Sequence, residues 1–199
     1  MPQIVEEVYY GGAKSFIRRL GLTPLVDEIN AALTGFHLLV GERAHGNSRA
    51  AVRMLLHERF DKLGGWTKAA STGIDRTKCR TVNDTRVCVG VEARVPARGS
   101  LLVVDMLRLR SAFRDGHIDV GIVIVPGDRL SRLLSDRPPS ISDARKHANA
   151  ARLEDSSLVL IGIEHDGPGP PLAMRAEKAA GTQPQPALQR PPKSCDDRS

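Results

Sequence analysis

No stretch of the chain approaches the roughly 20 uncharged apolar residues that a membrane span requires. The opening, MPQIVEEVYYGG, has no basic segment leading into an apolar one. A membrane protein and a secreted one are both disfavoured, and a cytoplasmic location is expected. Cysteine is scarce. Cys79, Cys88 and Cys195 form no CxxC and no even framework, which argues against a structural zinc or a disulfide scaffold. The six histidines show no HxxxH or HNH-like spacing, and no internal repeat is found. A Gly-rich phosphate loop and a nucleophile elbow are both missing, which counts against a nucleotide cofactor and a small-molecule α/β enzyme. From 167 to 199 there is no Ile, Val, Phe, Tyr or Trp, yet that stretch holds 7 of the 13 prolines. It cannot bury enough apolar surface to offset its ordering entropy, so a disordered tail is expected there and one folded domain over 1–166.

What is present begins with charge. Lys and Arg number 29 against 23 Asp and Glu, a net +6 with a pI near 9.6, which makes a polyanion the first partner to consider. The spacing predicts a helix over 22–34, then a short apolar run over 36–40. A second helix starts from Asn47 or Ser48 as cap, carries Val52, Leu56, Phe60 and Leu63 on one stripe, and stops at Gly64 and Gly65. Two β-rich segments, 77–82 and 85–95, flank Asn83 and Asp84, residues that tolerate positive φ in a two-residue turn. Ser100 is a candidate cap for a helix with Leu102, Met106, Leu109 and Phe113 in register, ending at Gly116. The apolar run 118–125 reads as a strand covered on both faces, followed by a short helix over 129–134 and a strand over 157–163. The expected fold is α/β, a mixed central sheet flanked by helices on both faces.

The hairpin places the chemistry. Val87, Val89, Val91, Ala93 and Val95 alternate onto a core face, leaving Cys88, Gly90, Glu92 and Arg94 on the other. With Asn83 and Asp84 as the loop, Val82 pairs with Thr85, and the same register carried back sets Asp75 directly opposite Glu92 and Cys79 opposite Cys88. Facing carboxylates repel unless something positive sits between them. A hard divalent cation is one candidate, since Mg²⁺ takes one or two carboxylates plus substrate phosphate. Neighbouring cations, Arg76 or Arg94, are the other. Glu58, at the edge of the preceding helix's apolar stripe, can lean toward the same face or stay solvated. The two cysteines are expected as thiols packed beside the site.

Asp75, a spacer and Glu-x-basic on a hairpin that follows a helix resemble the PD-(D/E)xK nuclease superfamily. The run VGVEARVPARGSLLVVDMLRLRSAFRDGHIDVGIVIVPGDRLSRLLSDRPPS is more specific. It resembles the core of the BamHI/BglII-type restriction endonucleases, in which a short ExE or ExQ strand leads to a helix, an apolar strand ending in VP, a helix and a polar recognition loop. The resemblance spans 47–163. It implies a restriction-endonuclease-like core and a homodimeric, Mg²⁺-dependent type II enzyme that hydrolyses phosphodiesters of palindromic duplex DNA.

Under that resemblance Asp75 and Glu92 are the metal-binding acids. Glu58, standing 17 residues before Asp75 as Glu92 stands 17 after it, matches a supporting helix glutamate. Arg94 takes the position filled by Lys, Glu or Gln elsewhere. That departure matters, because a guanidinium stays protonated and cannot act as a general base. It can stabilise charge on the phosphate, leaving the water to be activated by the metal, a phosphate oxygen or Glu58. A catalytically silent DNA-binding relative is therefore the alternative reading. Asp136 and Arg137 lie where related enzymes read bases. Asp accepts from cytosine N4 and Arg forks onto guanine, while a plain turn before Pro138 is the structural alternative. Arg98, Ser100, Arg110 and Arg114 are candidates for phosphate contact.

Overall fold

The computed structural model describes residues 1–43, 46–93 and 95–173. Six strands form one mixed sheet. In chain order they are β1 (Gln3–Tyr10), β3 (Thr67–Ala69), β4 (Ile74–Val82), β5 (Thr85–Glu92), β6 (Val120–Pro126) and β7 (Leu158–Glu164), arranged β1-β7-β6-β5-β4-β3. β5, β6 and β7 run parallel at the centre, while β1, β4 and β3 are antiparallel to their neighbours. A small parallel pair joins β2 (Leu39–Val40) to β8 (Gly167–Pro168).

One face is covered by α1 (Ala13–Arg19), α2 (Thr23–Thr34), α3 (Arg49–Lys62) and α5 (Asp128–Leu133). Their apolar residues join Val87, Val89, Val91, Ala93 and Val95 in a single core, as the alternation predicts. Ser48 caps α3, its side chain accepting from Ala51 N, and the helix stops before Gly64. Asn83 and Asp84 turn the hairpin with φ of 47° and 60°, and every pair from Arg76–Val91 to Val82–Thr85 keeps the expected register.

The other face is covered by helices too, as the expected fold has it. The Cys88–Glu92 side of β5 lies beneath α4 (Gly99–Arg114), which with α6 (Ile141–Ala150) forms a second core containing Cys88, Leu102, Met106, Leu109 and Val123. Small residues allow this approach. A Cβ on Gly121 would stand 3.0 Å from Leu109 Cβ, and one on Gly90 would stand 3.1 Å from Ile118 and 3.3 Å from Leu109. Cys79 and Cys88 do face each other, but as a disulfide and not as two thiols; Cys88 is four residues back from Glu92 on β5. Helix α4 begins before Ser100: Arg98 is its N-cap residue, with no side-chain cap.

Three elements lack a clear sequence signal. β1 has no clean alternation because Glu6 and Glu7 sit side by side. α1 is short. α6 begins at a capping box of Ser140 and Asp143. The folded body also runs past 166. Residues 167–173 are held by Gly169 N to Val40 O at 2.8 Å and Ser48 N to Leu172 O at 2.7 Å, so the expected tail cannot start at Gly167. Its remainder, 174–199, lies outside the described residues. Among the described residues no helix is long and apolar enough to cross a membrane.

Candidate active site

β4 and β5 deliver the two acids. Asp75 is the second residue of β4 and Glu92 the last of β5, one step beyond the Arg76–Val91 pair. Asp75 Oδ2 accepts the backbone N–H of Ala93 at 3.2 Å, so this carboxylate reaches across to the end of β5. Both side chains are buried, Asp75 at 3% exposure and Glu92 at 1%. Burying carboxylates costs several kcal/mol per ion unless cations or hydrogen bonds offset it, roughly as far as their geometry allows. Burial of adjacent acids at a strand end is therefore a mark of function more than of stability.

α4 supplies two further residues that the strand pattern does not reveal. Arg108 Nη1 donates to Glu92 Oε1 and to Asp105 Oδ1, each at 2.8 Å, and Asp105 is itself buried. Burial works against the Arg108 charge, but the hydrogen bonds and fields of Glu92 and Asp105 outweigh it and raise its pKa above the ordinary arginine value. The signal for these two residues was their i, i+3 spacing on the flank of the Leu102–Met106–Leu109 stripe. That spacing says they share a helix face, but only the crossing of α4 over β5 says that the face meets Glu92.

α3 closes the other side. Arg76 does not pair with the Asp75 carboxylate. Its Nη1 donates to Asp75 O at 3.0 Å, and its Nη2 pairs with Asp61. His57 is half-buried, and burial first, then Arg76 and Arg53, hold its pKa below the usual histidine range against the opposing pull of Asp75. Arg53 Nε donates to His57 Nε2 at 3.3 Å. Glu58, one residue on, points away: it is exposed, and among the described residues no hydrogen bond or ion pair joins it to Asp75 or Glu92.

Among the described residues no three His, Cys, Asp or Glu side chains converge into a ready-made metal cage. The donor set is two buried carboxylates with hard oxygen atoms, which suits Mg²⁺ completed by water and substrate phosphate and does not suit zinc. Arg94 lies outside the described residues. Arg98 and Ser100 lie at the start of α4, Ser100 exposed and Arg98 also within reach of solvent, as phosphate contacts need to be. Arg110 is instead paired with Asp155, and Arg114 lies 3.8 Å from the same carboxylate.

Asp136 and Arg137 occupy an exposed turn after α5, both at positive φ, 64° and 42°. The turn is tied down by Asn47, whose sequence context suggests only a helix cap. Asn47 is fully buried, and its backbone O accepts Ser135 N at 2.8 Å. Its Oδ1 accepts Gly41 N at 2.7 Å and Leu172 N at 3.0 Å. Its Nδ2 donates to the carbonyls of Gly41, Arg43 and Leu133.

The family described as Restriction endonuclease BglII/BglIII matches this chain over residues 5–163. The chain belongs to that family. The match takes in β1 through β7, hence both acids, α4 and the Asp136–Arg137 turn. A search of curated proteins returned no match. As a BglII/BglIII-family protein the chain is a type II restriction endonuclease, a site-specific nuclease that binds duplex DNA and hydrolyses it. The family generally uses a divalent metal ion.

Proposed function

We propose that this BglII/BglIII-family chain cuts a palindromic duplex site as a homodimer, with Asp75 and Glu92 holding Mg²⁺. The observation that carries the reading is the pair of buried acids at the adjoining ends of β4 and β5, with Asp75 bonded across to Ala93. A cation held there supplies Lewis-acid stabilisation and an activated water. Arg108 keeps one Glu92 oxygen oriented. Arg94 acts on the phosphate as a charge clamp and not as a base. Asp136 and Arg137 read a G·C pair.

An exposed apolar face supports the dimer. Leu101, Val104 and Leu107 are 42–49% exposed along one side of α4, beside a shallow depression of about 440 Å³ lined by Leu107, Arg110, Ser111, Arg114 and Asp115. Two copies related by a two-fold axis would bury this stripe against itself and match a palindrome.

Plasmid digestion with Mg²⁺ and end sequencing tests the reading. Discrete fragments sharing one palindromic end are expected, and they should vanish in Asp75→Asn and Glu92→Gln while binding of duplex DNA survives. Steep salt-dependent binding with no cleavage under Mg²⁺ or Mn²⁺ would favour the silent relative.

A further inference from the structure

Most cations of the body near the site are already paired: Arg76 with Asp61, Lys78 with Glu28, Arg108 with Glu92 and Asp105, Arg110 with Asp155. Two are not. Arg49 and Arg53 make no ion pair with an acid among the described residues, and both line a cleft of about 250 Å³ beside the acids. Its other walls are Pro96, Ala97, Leu101, Val104, Asp105 and Arg108. Asp105 already pairs with Arg108, so the cleft's uncompensated charge is positive.

Both guanidiniums are oriented by neutral acceptors. Arg49 Nη1 donates to Val95 O at 3.0 Å, and its Nε is buried with no hydrogen-bond partner. Arg53 Nε donates to His57 Nε2. Val95 is fully buried, yet holds φ of 46°, a conformation that a β-branched residue adopts only when its surroundings force it. Residues i and i+4 of a helix share a face, so α3 presents two forks side by side. Planar forks with charge intact and no protein acid to bind match phosphate oxygens.

We propose that the Arg49–Arg53 cleft, which adjoins the acid centre and shares Asp105 and Arg108 with it, is a second anion site that grips a backbone phosphate of the substrate duplex next to the one being cut. This rests on the nuclease reading above. Arg49 and Arg53 are positioning residues: they register the strand and touch no reacting atom.

The test measures binding of a duplex carrying the cleavage site, without divalent cation, across 50–200 mM salt. Releasing the one phosphate held by the two forks should make the slope of log affinity on log salt shallower by about 0.9. Because both forks grip the same phosphate, wild type should therefore lose about three- to fourfold more affinity over that range than Arg49→Gln/Arg53→Gln. The double variant should raise KM far more than it lowers kcat. The Arg→Lys versions should restore the slope, because they restore the charge, but only part of the affinity, because a point charge replaces the fork imperfectly. An unchanged slope in a double variant that melts like wild type overturns the proposal. A shallower slope that Lys does not rescue also overturns it, since a purely structural role would give that result. If wild type cuts and binds duplex normally, any failure belongs to this cleft; if wild type neither binds nor cuts, the nuclease reading itself has failed.

Discussion

At Glu92 a buried carboxylate and a partly covered arginine hold each other in place, and the consequences of separating them differ from those of removing the acid. Arg108→Met leaves Glu92 and Asp105 buried without this cation. It should destabilise the fold by about 3 kcal/mol, the low end for breaking a buried pair because Arg108 is partly open to water. A denaturant melt checks this. Glu92→Gln should cost less stability and abolish cleavage, so the two variants separate structural from chemical loss. Arg94→Ala should lower the cleavage rate by about 10²–10³, the scale for one preorganised donor, in single-turnover kinetics. Undiminished cleavage would make Arg94 a bystander. The register that brings Asp75 beside the end of β5 was legible from period-2 alternation and a two-residue turn, because a strand's register is a local property. Asp105 and Arg108 were not, since their role depends on which strand α4 crosses. For Glu58 the pattern left both a lean toward the acids and a solvated position open, because periodicity locates a helix more sharply than it fixes the rotation of that helix about its own axis.

Single elements carry their own tests. The Glu28 carboxylate on α2 accepts from Trp66 Nε1 at 2.9 Å and Lys78 Nζ at 2.7 Å, tying α2 to the start of β3 and to β4. Burial works to raise its pKa, but those hydrogen bonds outweigh it, and the net direction is down. A depressed carboxylate pKa stabilises the fold above the unfolded value of about 4.3 and loses that contribution as pH falls through the lower folded value. Trp66 is the sole tryptophan. Its emission should shift on acidification with a midpoint below about 4.3, and Glu28→Gln should lose that transition. On the other face, Gly121→Val puts methyl groups where Leu109 already lies 3.0 Å from a Cβ position. Overpacking of this kind costs about 1–3 kcal/mol, read as a lower melting temperature. The glycines were a visible sign that the second face is covered. That helices cover both faces was expected from the order of elements, but alternation alone could not say which residues of α4 pack over Cys88 and Gly90.

For the molecule as a whole, the tail boundary decides how the ends meet. Removing 167–199 takes away β8, Leu172 and the bonds to Val40, Asn47 and Ser48. A loss of about 2–3 kcal/mol corresponds to a melting temperature lower by about 5–10 °C for a domain of this size. Cutting after Ala173 spares all of those bonds, so calorimetry of the two truncations should differ. Composition marked where apolar residues run out, but it could not show that a Gly-Pro pair and one leucine are bonded back onto the body. Asn47 sits where that return, the 41–43 loop and the Asp136–Arg137 turn converge. Exchanging its amide nitrogen for oxygen, by Asn47→Asp, changes neither size nor shape. It would nevertheless turn a group donating to three carbonyls into one that repels them. One changed atom at a single buried amide would thus loosen three chain segments at once.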